Sequence, residues 1–294
     1  MISKNKIINL LKIAVFLIFI GRAYQYIVYG APFRALLWDE GLLQPIIEGL
    51  FNTPWGEYAT SKTVDIWIEN ATLINGIFLA IAAFSALLIN QNNKKYLKYF
   101  IYFGSFSLLI LSALLMKDKF FHNAQFFEHA IQVVTPLLLL MTINETINFE
   151  KISFNLKVLV AITFTSHGLY ALGYYPIPGN FVDMTISSLG TTEDTSKMFL
   201  YTAGVLDILL SILIFIPKIS KYALGYAFIW GTATAMARVT GYFNSDLIAL
   251  SLESSLYRAI YRIPHGLIPL AIYFIDYKFL PKKETTKSPL NFIL

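Results

Sequence analysis

Nine side chains suited to holding a polar ligand lie within or beside long apolar stretches: Arg22, Tyr24, His129, His167, Tyr170, Asp207, Arg238, Arg262 and His265. An ionisable group in hydrocarbon costs about 3 kcal/mol or more unless it is paired or hydrated, so each is a candidate site residue. Arginines can grip an anionic or carbonyl-bearing headgroup by charge-assisted hydrogen bonds. Histidines, with a reference pKa of about 6.5, can exchange protons there.

Each residue also has a plainer reading. Asp207 and Arg238 fall on consecutive apolar runs and could neutralise each other as a structural pair. Arg22, in FIGRAYQY, could snorkel to the lipid headgroups. With Arg258 or Arg262 nearby it would instead make an anion site. Arg238, in TATAMARVTGYF, sits among small residues that permit close helix approach. His167, in TSHGLYALGYY, has Ser166 beside it and Tyr170 at helical spacing. It is a ligand contact or a hydrogen-bonded bundle residue. His265 follows Pro264, which fixes a helix start and lets the ring cap an outer cavity. Glu128 and His129 open a further apolar run.

Other chemistries lack their residues. No two histidines stand three or four apart, and no Glu-x-x-His occurs. Glu128 and His129, adjacent on a helix, would project about 100° apart, poor geometry for one metal. No metal site is therefore assigned. The chain has no cysteine, which excludes thiolate metal sites, iron–sulfur clusters and thiol redox chemistry. No Gly-x-Ser-x-Gly elbow or paired carboxylates within one run point to a hydrolase.

The elements that carry these residues are membrane helices. Of 294 residues, 56% are apolar and 14% charged, whereas a soluble domain has about a quarter charged. A spanning helix needs about 20 mainly apolar residues. Eight runs qualify, at 8–29, 71–90, 97–115, 127–143, 157–175, 199–217, 222–242 and 263–280. The expected fold is all-α and polytopic. The first run is too long for a cleaved signal peptide and reads as a retained helix.

Charge bias orients the spans. One set of alternate loops holds 14 of the 18 lysines against four acids (Glu145, Glu150, Asp276, Glu284); the other holds seven cations and twelve acids. Both termini are therefore expected in the cytoplasm, and the Lys-, Asn- and Ile-rich composition fits a bacterial inner membrane. The net charge of +5 is this topology signal and does not suggest nucleic-acid binding. None of the five arginines is in an inner loop, which suggests a polar chamber in the outer half of the bundle. Outer loop 30–70 holds three of the four tryptophans, and ALLWDEGLLQPIIEGLF reads as an interfacial helix or as a docking surface for a partner. Loop 176–198 is the second long outer loop.

The chain also reads as a duplication. A shift of 146 lays Tyr24 on Tyr170 and Pro32 on Pro178. A shift of 128 lays Gly76 on Gly204, one of 127 lays Gly104 on Gly231, and one of 133 lays Pro136 on Pro269. Residues 1–148 and 149–294 would be two four-helix membrane units, parallel because four is even. This plan resembles the DoxX-like family of small membrane proteins. The long outer loop with LLWDEGLLQP is also similar to the horizontally transferred transmembrane (HTTM) domain of vitamin-K-dependent carboxylase-type proteins. The first resemblance implies a bundle associated with quinone-linked or sulfur oxidation. Carboxylase chemistry is not implied, because no span carries a central lysine to act as base.

The expected function is a quinone- or lipid-binding membrane subunit linked to a redox process. The alternatives are an accessory or scaffold subunit of an envelope complex, docking partners through loop 30–70, and a small-anion transporter. The implied ligands are quinone or bound lipid.

Overall fold

The computed structural model describes residues 2–143 and 147–279, and every regular element among them is helical. Helix α1 (Lys4–Tyr24) runs into a π-helical turn (Gln25–Tyr29) that ends at Gly30, whose φ of 80° suits glycine. Short helices α2 (Arg34–Leu37), α3 (Glu40–Phe51) and α4 (Trp55–Thr60) lead to α5 (Lys62–Leu88) and α6 (Lys94–Asp118). Helices α7 (Asn123–Phe127) and α8 (Ala130–Thr142) form one rod broken at Glu128–His129. The remainder is α9 (Phe149–Ala171), α10 (Gly179–Leu189), α11 (Glu193–Leu213), α12 (Pro217–Thr240), α13 (Ile248–Arg262) and α14 (Pro264–Tyr277).

Among the described residues, six helical stretches are long and apolar enough to cross a membrane: Lys4–Tyr29, Lys62–Leu88, Lys94–Asp118, Asn123–Thr142, Phe149–Ala171 and Glu193–Leu213. Helix α12 has similar length, but its Gly, Ala and Thr content makes it less apolar. Helix α14 has only 14 residues, because Pro264 lacks the N–H that would continue α13.

Each expected apolar run coincides with a helix, but the borders move. The run expected from residue 71 begins at Lys62, where Ser61 accepts from Val64 N and Asp65 sits in the first turn. The run expected from 157 begins at Phe149, capped by Asn148 accepting from Lys151 N at 2.9 Å. The run expected from 199 begins at Glu193 behind Thr192. In each case a side-chain cap and an acid near the helix N-terminus extend the helix beyond its apolar part. Loop 30–70 is therefore largely helical. Loop 176–198 contains α10, stopped by Gly190 at φ 65°. Of the charges used for orientation, Glu145, Lys282, Lys283, Glu284 and Lys287 lie outside the described residues, as does the expected end of the eighth run at 280.

The core runs along the buried faces of α1, α5, α6, α8, α9 and α14, with Ile7, Leu11, Phe19, Leu139, Leu156 and Ile272 among its members. Polar ties cross it: Ser105 donates to Val133 O (2.5 Å), Ser107 to Asn75 Oδ1 (2.8 Å) and Ser211 to Ala161 O (3.0 Å). Lys157 pairs with Asp276 at 2.7 Å, joining α9 to α14. Between α1 and α5, Asp39 caps α3 and meets Lys117 Nζ at 2.5 Å, and that ammonium contact holds the carboxyl below its ordinary value of 3.8.

Small residues let the helices approach. Helix α9 meets α11 where Gly168 faces Gly204, and α12 meets α14 where Gly231 faces the His265 carbonyl. A Cβ at Gly231 would lie 2.5 Å from that oxygen, with backbone on both sides unable to rotate away. Gly231→Ala is expected to lower unfolding stability by about 1–3 kcal/mol, as overpacking does. Gly225, on the same helix, has nothing within 4 Å of a built Cβ. Gly225→Ala should be neutral or gain up to about 1 kcal/mol. Unfolding of the two purified variants in detergent compares them.

Candidate functional site

Glu128 lies at the break between α7 and α8, and four elements bring partners to it. Arg262, the last residue of α13, donates from Nη2 to Glu128 Oε1 at 3.0 Å and from Nη1 to His167 Nε2 at 2.9 Å. A guanidinium only donates, so His167 Nε2 is the acceptor and the proton of the neutral ring is on Nδ1. That Nδ1 faces Glu128 Oε2 at 3.6 Å. Gln125 donates to Glu128 Oε1 at 2.9 Å. His129 places Nε2 at 3.6 Å from the same oxygen while its Nδ1 hydrogen-bonds Gln125 O at 2.9 Å. Glu128, His129 and Arg262 are all buried. The net is therefore a desolvated ion pair with a neutral imidazole bridging the two charged groups.

Arg22 forms a layer beside it. It is 2% exposed, donates to Gln132 Oε1 at 2.9 Å and Gln25 Oε1 at 2.7 Å, and lies 3.8 Å above the Tyr261 ring. The arginine is held by amides and a ring face, and among the described residues it has no carboxylate partner. It does not snorkel outward, because two glutamine oxygens replace the water it would otherwise seek.

Two cavities flank the net. One, of about 410 Å³, lies among α9, α10, α11, α12 and the start of α14. Its walls are Phe164, Phe181, Leu200, Trp230 and similar side chains, and its polar groups include His167, Asp207, Arg238, Arg262 and His265. The other, of about 420 Å³, is mostly polar, with Gln25, Lys119, Glu128, Tyr170, Arg258 and Tyr261 among its lining. The two share Phe181, Met184, Arg238 and Arg262. Phe181 and Met184 belong to α10, which packs on α11 and α12. Both volumes fall within the roughly 300–1,000 Å³ usual for small-molecule sites.

Two residues that line the apolar cavity each carry a buried polar atom with no hydrogen bond among the described residues. Asp207 is 4% exposed and its Oδ1 has no partner among the described residues. His265 Nδ1 bonds the Arg262 carbonyl at 2.9 Å; a carbonyl only accepts, so the neutral ring presents a lone pair at Nε2, also unpartnered. A buried polar group without a partner costs about 1–3 kcal/mol, so these atoms need something to meet.

The nine sequence candidates separate as follows. His167, Asp207, Arg238, Arg262 and His265 line the apolar cavity, and Tyr170 lines the polar one. His129 and Arg22 support the net from outside the cavities. Tyr24 stands apart, 37% exposed, in ring contact with Tyr29 and Tyr257. The expected Asp207–Arg238 pair does not form: Arg238 donates to Thr234 O at 2.6 Å, within its own helix. Arg262 approaches the same region as the expected second cation but is committed to Glu128. Glu128 is the hub that the candidate residues omit. Adjacent residues on a continuous helix diverge, but the turn at Glu128–His129 breaks the helix and lets both side chains converge. Gln25, Gln132 and Tyr261 carried no charge signal inside a span.

Comparison with family models, with curated proteins and with solved structures finds no match to this chain.

Removing one member of a buried ion pair leaves the other uncompensated, at a cost of about 3–5 kcal/mol. Glu128→Gln should therefore destabilise by that order, and adding Arg262→Gln should recover part of the loss. Unfolding of the single and double variants measures the coupling; additive losses would contradict the geometry.

Proposed function

We propose that this chain is an eight-span membrane protein that binds an amphipathic membrane ligand, a quinone or a lipid, in the cavities beside Glu128, Arg262 and His167. The carrying observation is an apolar cavity lined by Arg238, Arg262, Asp207 and His265, the last two each with a buried acceptor, Oδ1 and Nε2, that has no hydrogen-bond partner among the described residues. A carbonyl or anionic oxygen of such a ligand would accept from the arginines. The apolar part of the ligand would lie against Phe164, Leu200 and Trp230. In a redox role, a partner subunit would supply or accept the electrons.

The eight-span, two-unit reading adds α12 and α14 to the six apolar stretches. It draws support from corresponding packing. Helix α1 packs on α5 and α8, and α9 packs on α11 and α14; α6 packs on α8, and α12 on α14. Gly76 abuts Tyr26, and Gly204 abuts Leu172, so shifts of 128 and 146 relate one contact to the other. This is the arrangement that the DoxX-like resemblance implies. We place the cavities towards the extracytoplasmic face of a bacterial inner membrane, with both termini in the cytoplasm.

The accessory-subunit reading rests on a different observation. Helix α3 leaves Leu42 (53%), Leu50 (78%) and Phe51 (67%) exposed, an apolar face that an interfacial lipid or an envelope partner would cover. Stoichiometric co-purification of a partner lost on Leu50→Ser would favour it.

Two measurements test the main proposal. A short-chain quinol analogue and a bacterial phospholipid are added separately to purified protein; at least one should raise the unfolding temperature, by linkage, about 3 kcal/mol at a hundredfold excess over Kd. Ala237→Phe, which projects a ring into the apolar cavity, should reduce that shift. No shift with either ligand would reject the reading. For topology, the absence of cysteine permits single introduced thiols. An impermeant maleimide on intact cells should label Glu57→Cys and Asn244→Cys but not Asn92→Cys.

A further inference from the structure

The polar cavity is more cationic than a neutral headgroup requires. Its lining carries Lys119, Arg238, Arg258 and Arg262 against one carboxylate, Glu128. Glu128 is already bonded to Arg262 and Gln125, so it neutralises one of the four cations. The other three form no ion pair among the described residues. Arg238 donates to a backbone carbonyl, and Arg258 donates from Nε to Tyr257 Oη at 3.0 Å and lies 5.6 Å from the Tyr242 ring. Tyr170, Tyr242 and Tyr261 add hydroxyls to the same lining.

Three like charges around one cavity repel one another in a medium of reduced dielectric, and a bound anion relieves that repulsion. A quinone brings no charge and leaves it in place. A carboxylate brings one negative charge; a phosphate monoester brings about 1.5–2 and three oxygens able to accept bidentate guanidinium donors. From this we propose that the polar cavity is a phosphate site and that the ligand is a phosphate-headed amphiphile. This rests on the amphiphile reading above and narrows its headgroup. The shared lining of Arg238, Arg262, Phe181 and Met184 sets the two cavities side by side, so that a phosphate in the polar one would have its chain in the adjacent apolar one.

Phosphate chemistry could arrive as a lipid headgroup or as the free ion, and titration calorimetry on the full chain in neutral detergent separates them. The probes are dodecyl phosphate, dodecanol and inorganic phosphate at about pH 7, where the ester is largely dianionic. Dodecyl phosphate is expected to bind at least about tenfold more tightly than either of the others, and to weaken as salt screens the cations. Lys119 is exposed and Arg258 only part-buried, so Lys119→Gln and Arg258→Gln leave the buried pair intact. The double variant should lose about tenfold for dodecyl phosphate and leave dodecanol binding unchanged, as expected of charge-assisted contacts.

Equal binding of dodecanol and dodecyl phosphate overturns the phosphate inference and leaves the amphiphile reading standing. Inorganic phosphate binding as tightly as the ester overturns the proposal in favour of a free anion. No binding by either amphiphile, together with no response to quinol or phospholipid, removes both readings. Unchanged affinity for dodecyl phosphate in the double variant also overturns the inference.

Discussion

The contact between Glu128 and Arg262 is the constraint around which the rest of the bundle is arranged. A carboxylate and a guanidinium are both removed from water, and an interior of low dielectric tolerates them only together. The two residues are 134 positions apart, so satisfying one charge obliges the α7–α8 rod to meet the α13–α14 rod. His167 bridges the two: it accepts from the guanidinium through Nε2 and turns Nδ1 towards the carboxylate. Arg22 is a second buried cation and is kept away from this carboxylate by Gln25 and Gln132. Two arginines are thus buried close together with different partners.

This constraint also explains where ligand space can exist. Glycines bring α9 close to α11 and α12 close to α14, with tight approaches at Gly168, Gly204, Gly231 and Gly266. Beside the buried ion pair lies the apolar cavity, with α10 forming one of its walls. The cavities therefore occur next to the charges. Asp207 and His265 show the same economy from the other side. Each lines the apolar cavity and keeps a buried atom without a partner among the described residues. A buried group left in that state costs about 1–3 kcal/mol.

Several readings from the sequence depended on local rules that the tertiary contacts altered. The assumption of a continuous helix removed Glu128 and His129 from consideration as a pair, and the chain breaks at that position. Neighbouring positions on consecutive helices suggested Asp207 with Arg238, yet Arg238 finds its acceptor one turn back along its own helix. Helix borders set by hydropathy fell short at α5, α9 and α11, since capping side chains and early acids extend a helix past its apolar portion.

What composition and periodicity determined by themselves was the class of the molecule. Runs of about 20 apolar residues in a chain with few charges can satisfy their backbone only as helices, and that holds whatever the neighbours are. The same local physics marked Arg22, His167, Asp207, Arg238, Arg262 and His265, because a polar group in such a run is expensive wherever the run packs. Which of them meet was decided by the tertiary structure. Pairing depends on helix rotation, on the break at Glu128 and on the glycine contacts that set interhelical distance, and these arise between segments more than a hundred residues apart. The uncharged members of the site, Gln25, Gln132 and Tyr261, became visible only there, since their role is to face a charge supplied by another helix.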